Sequence, residues 1–313
     1  MPSRRPSVSV VVPVYRSETL LRALVERLGP VLAAQASESE LIFVDDSSPD
    51  ESWRIVRDLA SEHAWIRGIR LMRNYGQHSA ILCGIRAARH ELVVTMDDDL
   101  QHPPEEIPRL LAELGEGCDV VYGTPEQEQH GLARDLASQI AKFVLQGAMG
   151  AETARQVSAF RAFRTELREA FSTYRGQFVS IDVLLTWATT RFRAVRVRHD
   201  SRAQGVSNYT WRRLLTHALN MMTGFSAFPL QIASVVGFAF TLFGLGVLAF
   251  VLGRYLVSGA AVQGFTFLAS AIAIFSGAQL FALGIIGEYL ARMHFRVMDR
   301  PPYVVRADTE APR

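Results

Sequence analysis

Cysteine is scarce in this chain: two in 313 residues, Cys83 and Cys118. Both sit in apolar-periodic surroundings, which excludes a disulfide framework and fits a reducing compartment. MPSRRPS has no apolar h-region ahead of Val8, so no cleavable leader is expected and the amino terminus is placed in the cytoplasm. No Gly-x-Gly-x-x-Gly follows a predicted strand, which disfavours a dinucleotide cofactor. Charge is also missing, but locally: Pro229–Val251 and Gly264–Gly287 carry none. Each run approaches the ~20 residues that cross a bilayer core. Buried core helices are the competing reading, and two such runs in tandem after a complete α/β pattern argue against it.

The connection around SGAAVQ is short and uncharged, so a two-helix transmembrane hairpin is expected over about 229–256 and 264–288. Arginines crowd the approach to the first run, and Arg292, Arg296 and Arg300 follow the second. The positive-inside rule then puts both ends, and the domain before them, in the cytoplasm of a multi-pass inner- or plasma-membrane protein. Arg254, near the outer end, can snorkel to the interface.

The formal charge of +2, from 33 basic and 31 acidic residues, hides an uneven layout with acids early and arginines late. From Val8 to Gly123 short apolar runs alternate with helical segments. VSVVVPV, ELIFVDD, IRGIRLM, ELVVTMD and DVVYG read as strands, while ETLLRALVERLGPVL and DESWRIVRDLASEH show i, i+3, i+4 apolar spacing. Such alternation predicts an α/β fold with a mixed, mostly parallel, Rossmann-like sheet. Ligands of such sheets bind beyond the carboxyl ends of the strands, where Asp45–Asp46 and Asp97–Asp99 fall.

The stretch VVTMDDDLQHPPEE crowds Asp97, Asp98 and Asp99 after an apolar run. On an extended backbone Asp97 and Asp99 point one way, Asp98 the other, and Gln101 continues the first set. Two carboxylates and an amide oxygen are hard ligands suited to Mg²⁺ or Mn²⁺, which typically bridges substrate phosphates. Capping of the helix begun by Pro103–Pro104, by Asp99 or His102, is the alternative; it accounts for one carboxylate rather than three.

VVVPVYRSETL, LIFVDDSSPD, RNYGQ and MDDDLQHPPEE, in that order, resemble the cytoplasmic domain of the inverting family-two glycosyltransferases. The likeness is greatest to the polyprenyl-phosphate glycosyltransferases, the GtrB, ArnC and dolichol-phosphate-mannose-synthase-like group, and it extends over the hairpin. The resemblance implies a GT-A-type domain over 1–210 with an interfacial amphipathic helix about 131–149. A juxtamembrane helix (211–228), the hairpin (229–290) and a cytoplasmic tail (291–313) would follow.

It further implies a nucleotide-sugar pocket at Pro13, Tyr15, Glu18 and Asp46, with Asn74, Gln77 and Asp98 beside it, and a metal held by Asp97, Asp99 and Gln101. Acceptor phosphate contacts fall on Arg134 and Ser138, and on Arg202, Ser207 and Tyr209 of RAQGVSNY, where Asn208 replaces the usual Lys. The other reading of these arginines is attraction to anionic headgroups. Several members carry an Asp before the Phe-Arg pair of SAFRAF; here Ala159 stands there, leaving Arg161 to orient acceptor or diphosphate.

The implied activity is metal-dependent transfer of a sugar from a nucleotide donor, UDP or GDP with UDP the more frequent in bacterial members, to undecaprenyl or decaprenyl phosphate. A homotetramer is implied and nucleic acid is not. Two alternatives are a processive polysaccharide synthase, whose Gln-x-x-Arg-Trp motif is missing, and a non-catalytic nucleotide-binding scaffold.

Overall fold

The computed structural model describes residues 5–115, 117–125, 157–176, 179–200, 228–258 and 264–310. Two compact units divide the chain, one of Met1–Thr216 with Asp299–Arg313, the other of His217–Met298. The expected interfacial helix (131–149) and juxtamembrane helix (211–228) lie outside the described residues, apart from Phe228.

In the first unit, strands β1 (Val8–Val14), β2 (Ser39–Asp45), β3 (Ile66–Leu71), β4 (Leu92–Thr95), β5 (Val120–Pro125), β6 (Arg161–Arg164), β7 (Phe192–Val197) and β8 (Val305–Asp308) form one sheet. Its order is β7-β5-β6-β4-β1-β2-β3-β8. Pairings among β4, β1, β2 and β3 are parallel, as is β5 with β7, whereas β6 and β8 run antiparallel to their neighbours. β1 is buried along its whole length, which explains why its sequence is a continuous valine-rich run rather than an alternation.

Its two faces have different partners. Val8, Val10, Val12 and Val14 join the core formed with α1 (Leu21–Gln35), α2 (Ser52–Glu62) and α4 (Ile107–Glu113). Val11 faces α3 (Gln77–Ala87), which approaches so closely that a Cβ on Gly84 would meet Val11 Cγ1 at 2.3 Å. A further helix, α5 (Ile181–Ala188), packs beside α3. Because β1 neighbours both β4 and β2, the strand order reverses there, and loops on either side diverge to leave a crevice.

β8 was not foreseen. The tail expected beyond 290 first continues as helix to Val297, then breaks at Asp299, whose φ is +49°, and at Pro301–Pro302. It then adds a strand to the edge at β3, with Ile69 opposite Asp308 and Leu71 opposite Val305.

The second unit holds α6 (Phe228–Ser258) and α7 (Phe265–Val297). By length and composition each can cross a membrane, over Leu230–Arg254 (mean hydropathy 2.5) and Ile274–His294 (1.4). The second window runs past the expected end at 288, and its charged residues Glu288 and Arg292 pair at 2.7 Å one turn apart. Phe275 packs edge-on against Phe240, with ring centroids 5.7 Å apart, so the two helices touch.

Candidate active site

The carboxyl ends of the four parallel strands surround a pocket of about 270 Å³. β1 contributes Pro13, Val14 and then Tyr15; β2 is followed by Asp46; the loop after β3 brings Asn74, Gly76 and Gln77; the loop after β4 brings Asp97, Asp98 and Asp99. The residues after Tyr15, Asp46 and Asp99, namely Arg16, Ser47 and Leu100, have φ of +59°, +58° and +59°. Side chains other than Gly, Asn and Asp rarely adopt this conformation, and such residues concentrate at functional loops. Here each one turns the chain sharply just after a pocket residue.

The acid triplet departs from the alternation expected of an extended segment. β4 ends at Thr95, and the chain turns through Asp98 and Asp99, so all three carboxylates line the pocket. Gln77 Nε2 donates to Asp97 Oδ1 at 2.6 Å, and the Gln101 amide donates to Asp99 Oδ1 at 3.1 Å. Ser17 Oγ donates to Asp98, whose carboxyl is nevertheless pushed up to about 6 by burial, with the Asp99 charge adding to the effect. Capping does not explain the acids. The short helix Pro104–Glu106 begins after Pro103 with no side-chain cap, and His102 instead stacks on Phe160 at 5.3 Å, burial pushing it down to about 4.

Asp46 ties the loop after β3 to the pocket. Its two oxygens accept from the amides of Tyr75 (2.7 Å) and Gly76 (2.8 Å), which partly offset the burial that raises its pKa. Gly76 has φ +92° and ψ 154°, a conformation open almost only to glycine, and it is the last residue before α3. Tyr15 is 44 % exposed, with the Arg16 guanidinium 5.4 Å from its ring centroid. Asp45, one residue earlier than Asp46, turns inward, accepting from the Ser48 amide and pairing with Arg70 at 3.1 Å.

Three expected site residues are not brought to the pocket lining. Glu18 accepts from the Glu51 amide at 2.9 Å, fastening two loops together. Gln101 is represented by its backbone bond to Asp99. Arg161 is only 2 % exposed, and its guanidinium closes on Asp182 in the first turn of α5, with Tyr122 donating to the same carboxylate oxygen at 3.0 Å. Arg161 stands opposite Thr95 in the β4–β6 ladder, and its side chain turns to Asp182 on α5. Arg134, Ser138, Arg202, Ser207 and Tyr209 lie outside the described residues. Ser17 and Gly76 were not anticipated; the only signal for Gly76 is a glycine directly before a helix.

The donor set fits a hard divalent cation. Among the described residues no group of three His, Cys, Asp or Glu side chains is placed to hold a metal ion. Two carboxylates, Asp97 and Asp99, in one open pocket match the habit of Mg²⁺ and Mn²⁺, which leave coordination positions to substrate oxygens.

Residues 9–172 match the family model described as glycosyl transferase family 2, and the chain belongs to that family. It is therefore a glycosyltransferase with a GT-A-type fold. Within the family it is similar to the undecaprenyl-phosphate 4-deoxy-4-formamido-L-arabinose transferase of Pseudomonas aeruginosa, at 35% identity over 97% of this chain and 92% of the relative. The enzyme of that name from Pectobacterium carotovorum is 34% identical over 97% and 94%. Among solved structures, Mycobacterium tuberculosis glucosyl-3-phosphoglycerate synthase, crystallised with Mn²⁺, UDP and glucosyl-3-phosphoglycerate, shares the fold with a TM-score of 0.52 at 18% identity, over 70% of this chain and 78% of that one. Mannosyl-3-phosphoglycerate synthase from Rubrobacter xylanophilus gives 0.52 at 17%, over 69% and 72%.

Proposed function

We propose that this glycosyltransferase moves a sugar from a uridine-diphosphate donor to the phosphate of a membrane polyprenyl phosphate, with inversion, giving a polyprenyl monophosphate sugar. The observation that carries the reading is the convergence of Asp97, Asp98 and Asp99 with Tyr15, Asp46 and Asn74 at the carboxyl ends of β1–β4. The full-length likeness to undecaprenyl-phosphate sugar transferases supports the acceptor. The two apolar helices support its delivery from a bilayer.

A phosphate monoester with a second pKa near ~6 is mostly dianionic at neutral pH, so the nucleophile arrives already deprotonated. Ala159, where the resemblance implied an Asp, offers no carboxylate base before Phe160 and Arg161; this is compatible with such an acceptor, because no proton has to be removed from it. One acceptor oxygen forms the bond to the anomeric carbon from the face opposite the leaving group. The carbon–oxygen bond to the diphosphate breaks, and its electron pair departs on the nucleotide.

Asp97 and Asp99 would hold Mg²⁺ or Mn²⁺, which supplies positive charge against that leaving group. Gln77 and the Gln101 amide fix these carboxylates through their hydrogen bonds. Tyr15 offers a half-exposed ring for the base, and Asp46 holds the loop that closes the far side. Acceptor phosphate falls to Arg134, Ser138, Arg202, Ser207 and Tyr209, with the domain on the cytoplasmic side and a tetrameric assembly.

The test is an assay of purified protein with Mg²⁺ or Mn²⁺, a short-chain polyprenyl phosphate and a panel of nucleotide sugars. A glycolipid is expected with a uridine-linked donor, abolished by chelation and by Asp99→Ala while circular dichroism stays unchanged. Retained turnover in Asp99→Ala removes the metal role from that residue. A long water-soluble polymer would point to a synthase, and no product with any donor to a non-catalytic scaffold.

A further inference from the structure

The stretch after α7 does more than end the chain. Pro302 is buried, and β8 follows it along the open edge of β3. The Met72 amide donates to the Val304 carbonyl at 2.9 Å, and the Thr309 amide donates to the Gly68 carbonyl at 2.9 Å. The Gly68 amide donates to Thr309 Oγ1 at 3.0 Å. Arg67 grips Asp308 with two nitrogens, at 3.1 and 2.6 Å, and both side chains are largely covered. Such a two-pronged, part-buried pair fixes geometry better than a surface ion pair does.

The same tail also reaches α3. The Arg86 guanidinium, on α3, lies 5.8 Å from the Tyr303 ring centroid. Arg86 itself donates to the carbonyls of Phe171 and Tyr174, so it is not free to follow the helix if α3 shifts.

Between β3 and α3 lies one short loop. It carries Asn74 and Gly76 into the pocket, gives the Tyr75 and Gly76 amides to Asp46, and ends at Gln77, which holds Asp97. The tail therefore grips the strand that enters this loop and the helix that leaves it, while none of the residues lining the pocket belongs to the tail.

We propose that Pro302–Glu310 is a positioning strap for the Asn74–Gln77 loop, so that nucleotide affinity depends on residues that never touch the nucleotide. Tyr303 and Asp308 are its positioning residues, acting through Arg86 and Arg67. The inference rests on the reading that this pocket takes a nucleotide. A strap that merely added stability would lower the amount of folded enzyme and leave the affinity of the folded fraction unchanged. A strap that sets the loop changes that affinity, because small displacements of pocket groups are costly.

The experiment measures binding of UDP and of GDP, each with Mn²⁺, to the full-length protein in detergent by calorimetry. Wild type is compared with Tyr303→Ala, Asp308→Ala and the exchanged pair Arg67→Asp/Asp308→Arg. Amide exchange over residues 66–72 reports whether β8 has detached. The expected result is a Kd for the nucleotide raised at least about fivefold in the single variants. Binding should return to within about twofold of wild type in the exchanged pair, with circular dichroism constant throughout.

An unchanged Kd in a folded variant whose 66–72 amides exchange faster overturns the strap, as does a loss in Asp308→Ala that the exchanged pair fails to recover. Wild type that binds neither nucleotide overturns the pocket reading and the strap with it.

Discussion

Removing the Asp182 carboxylate is the most severe single perturbation the buried polar groups suggest. Arg161 is 2 % exposed and Asp182 is 8 % exposed, and the Tyr122 hydroxyl, fully covered, completes the group. Asp182→Ala leaves a guanidinium and a hydroxyl facing a void without their acceptor. Loss of one partner of a buried ion pair costs about 3–5 kcal/mol. For a domain of this size each kcal/mol moves the melting midpoint by roughly 2–4 °C, so a fall of about 6–20 °C is expected.

Differential scanning fluorimetry in detergent measures it. Replacing all three members together, as Tyr122→Phe/Arg161→Met/Asp182→Leu, removes the orphaned groups and should restore most of the loss, because apolar side chains of similar volume fill such sites well. Turnover should recover with stability, since the trio lies outside the pocket lining. An Asp182→Ala protein that melts like wild type refutes the energetic argument. A triple variant that is stable yet inactive refutes the structural assignment and returns Arg161 to the chemistry.

Asp98 has a folded pKa of about 6 against an ordinary 3.8, so the folded protein binds more protons than the unfolded chain between these values. Stability of the metal-free protein should therefore fall as pH rises through about 4 to 6, by at most about 3 kcal/mol from this group. Asp98→Asn should flatten that slope in urea titrations at stepped pH, and an equal slope would sink the assignment. Gly76→Ala forces a side chain onto φ +92°, a strain of about 1–3 kcal/mol. Because the Gly76 amide holds Asp46, nucleotide affinity should drop along with the melting point. Unaltered calorimetric binding of UDP would show that the loop tolerates the change.

The parallel half of the sheet could be read from the sequence because its strands are buried on both faces and its helices carry a regular apolar stripe. The valine run of β1 and the periodic α1 leave little choice. The expected residues that the fold brings together at the pocket, Pro13, Tyr15, Asp46, Asn74, Gln77 and the acid triplet, sit within a few residues of strand ends, where position along the chain fixes position in space. Extrapolating alternation past Thr95 failed, because Asp98 lies beyond the strand and its direction is set by a turn that ends in the positive φ of Leu100. The direction of the Arg161 side chain could not be read from the sequence for a different reason. Its partner Asp182 lies 21 residues away and belongs to a helix whose packing no local pattern reveals. β8 escaped notice because VRAD, four residues with two charges, earns its place through edge pairing with β3, 241 residues distant in the Arg67–Asp308 contact.

That final strand also constrains how the chain is threaded. The first unit takes residues from both sides of the two apolar helices, β8 among them, so the chain leaves that folded body before α6 and rejoins it after α7. The apolar pair is thus an insertion rather than an appendage. Cutting the gene before it to obtain a water-soluble enzyme would also strip the sheet of its outermost strand. A soluble version should instead splice the tail back on through a linker.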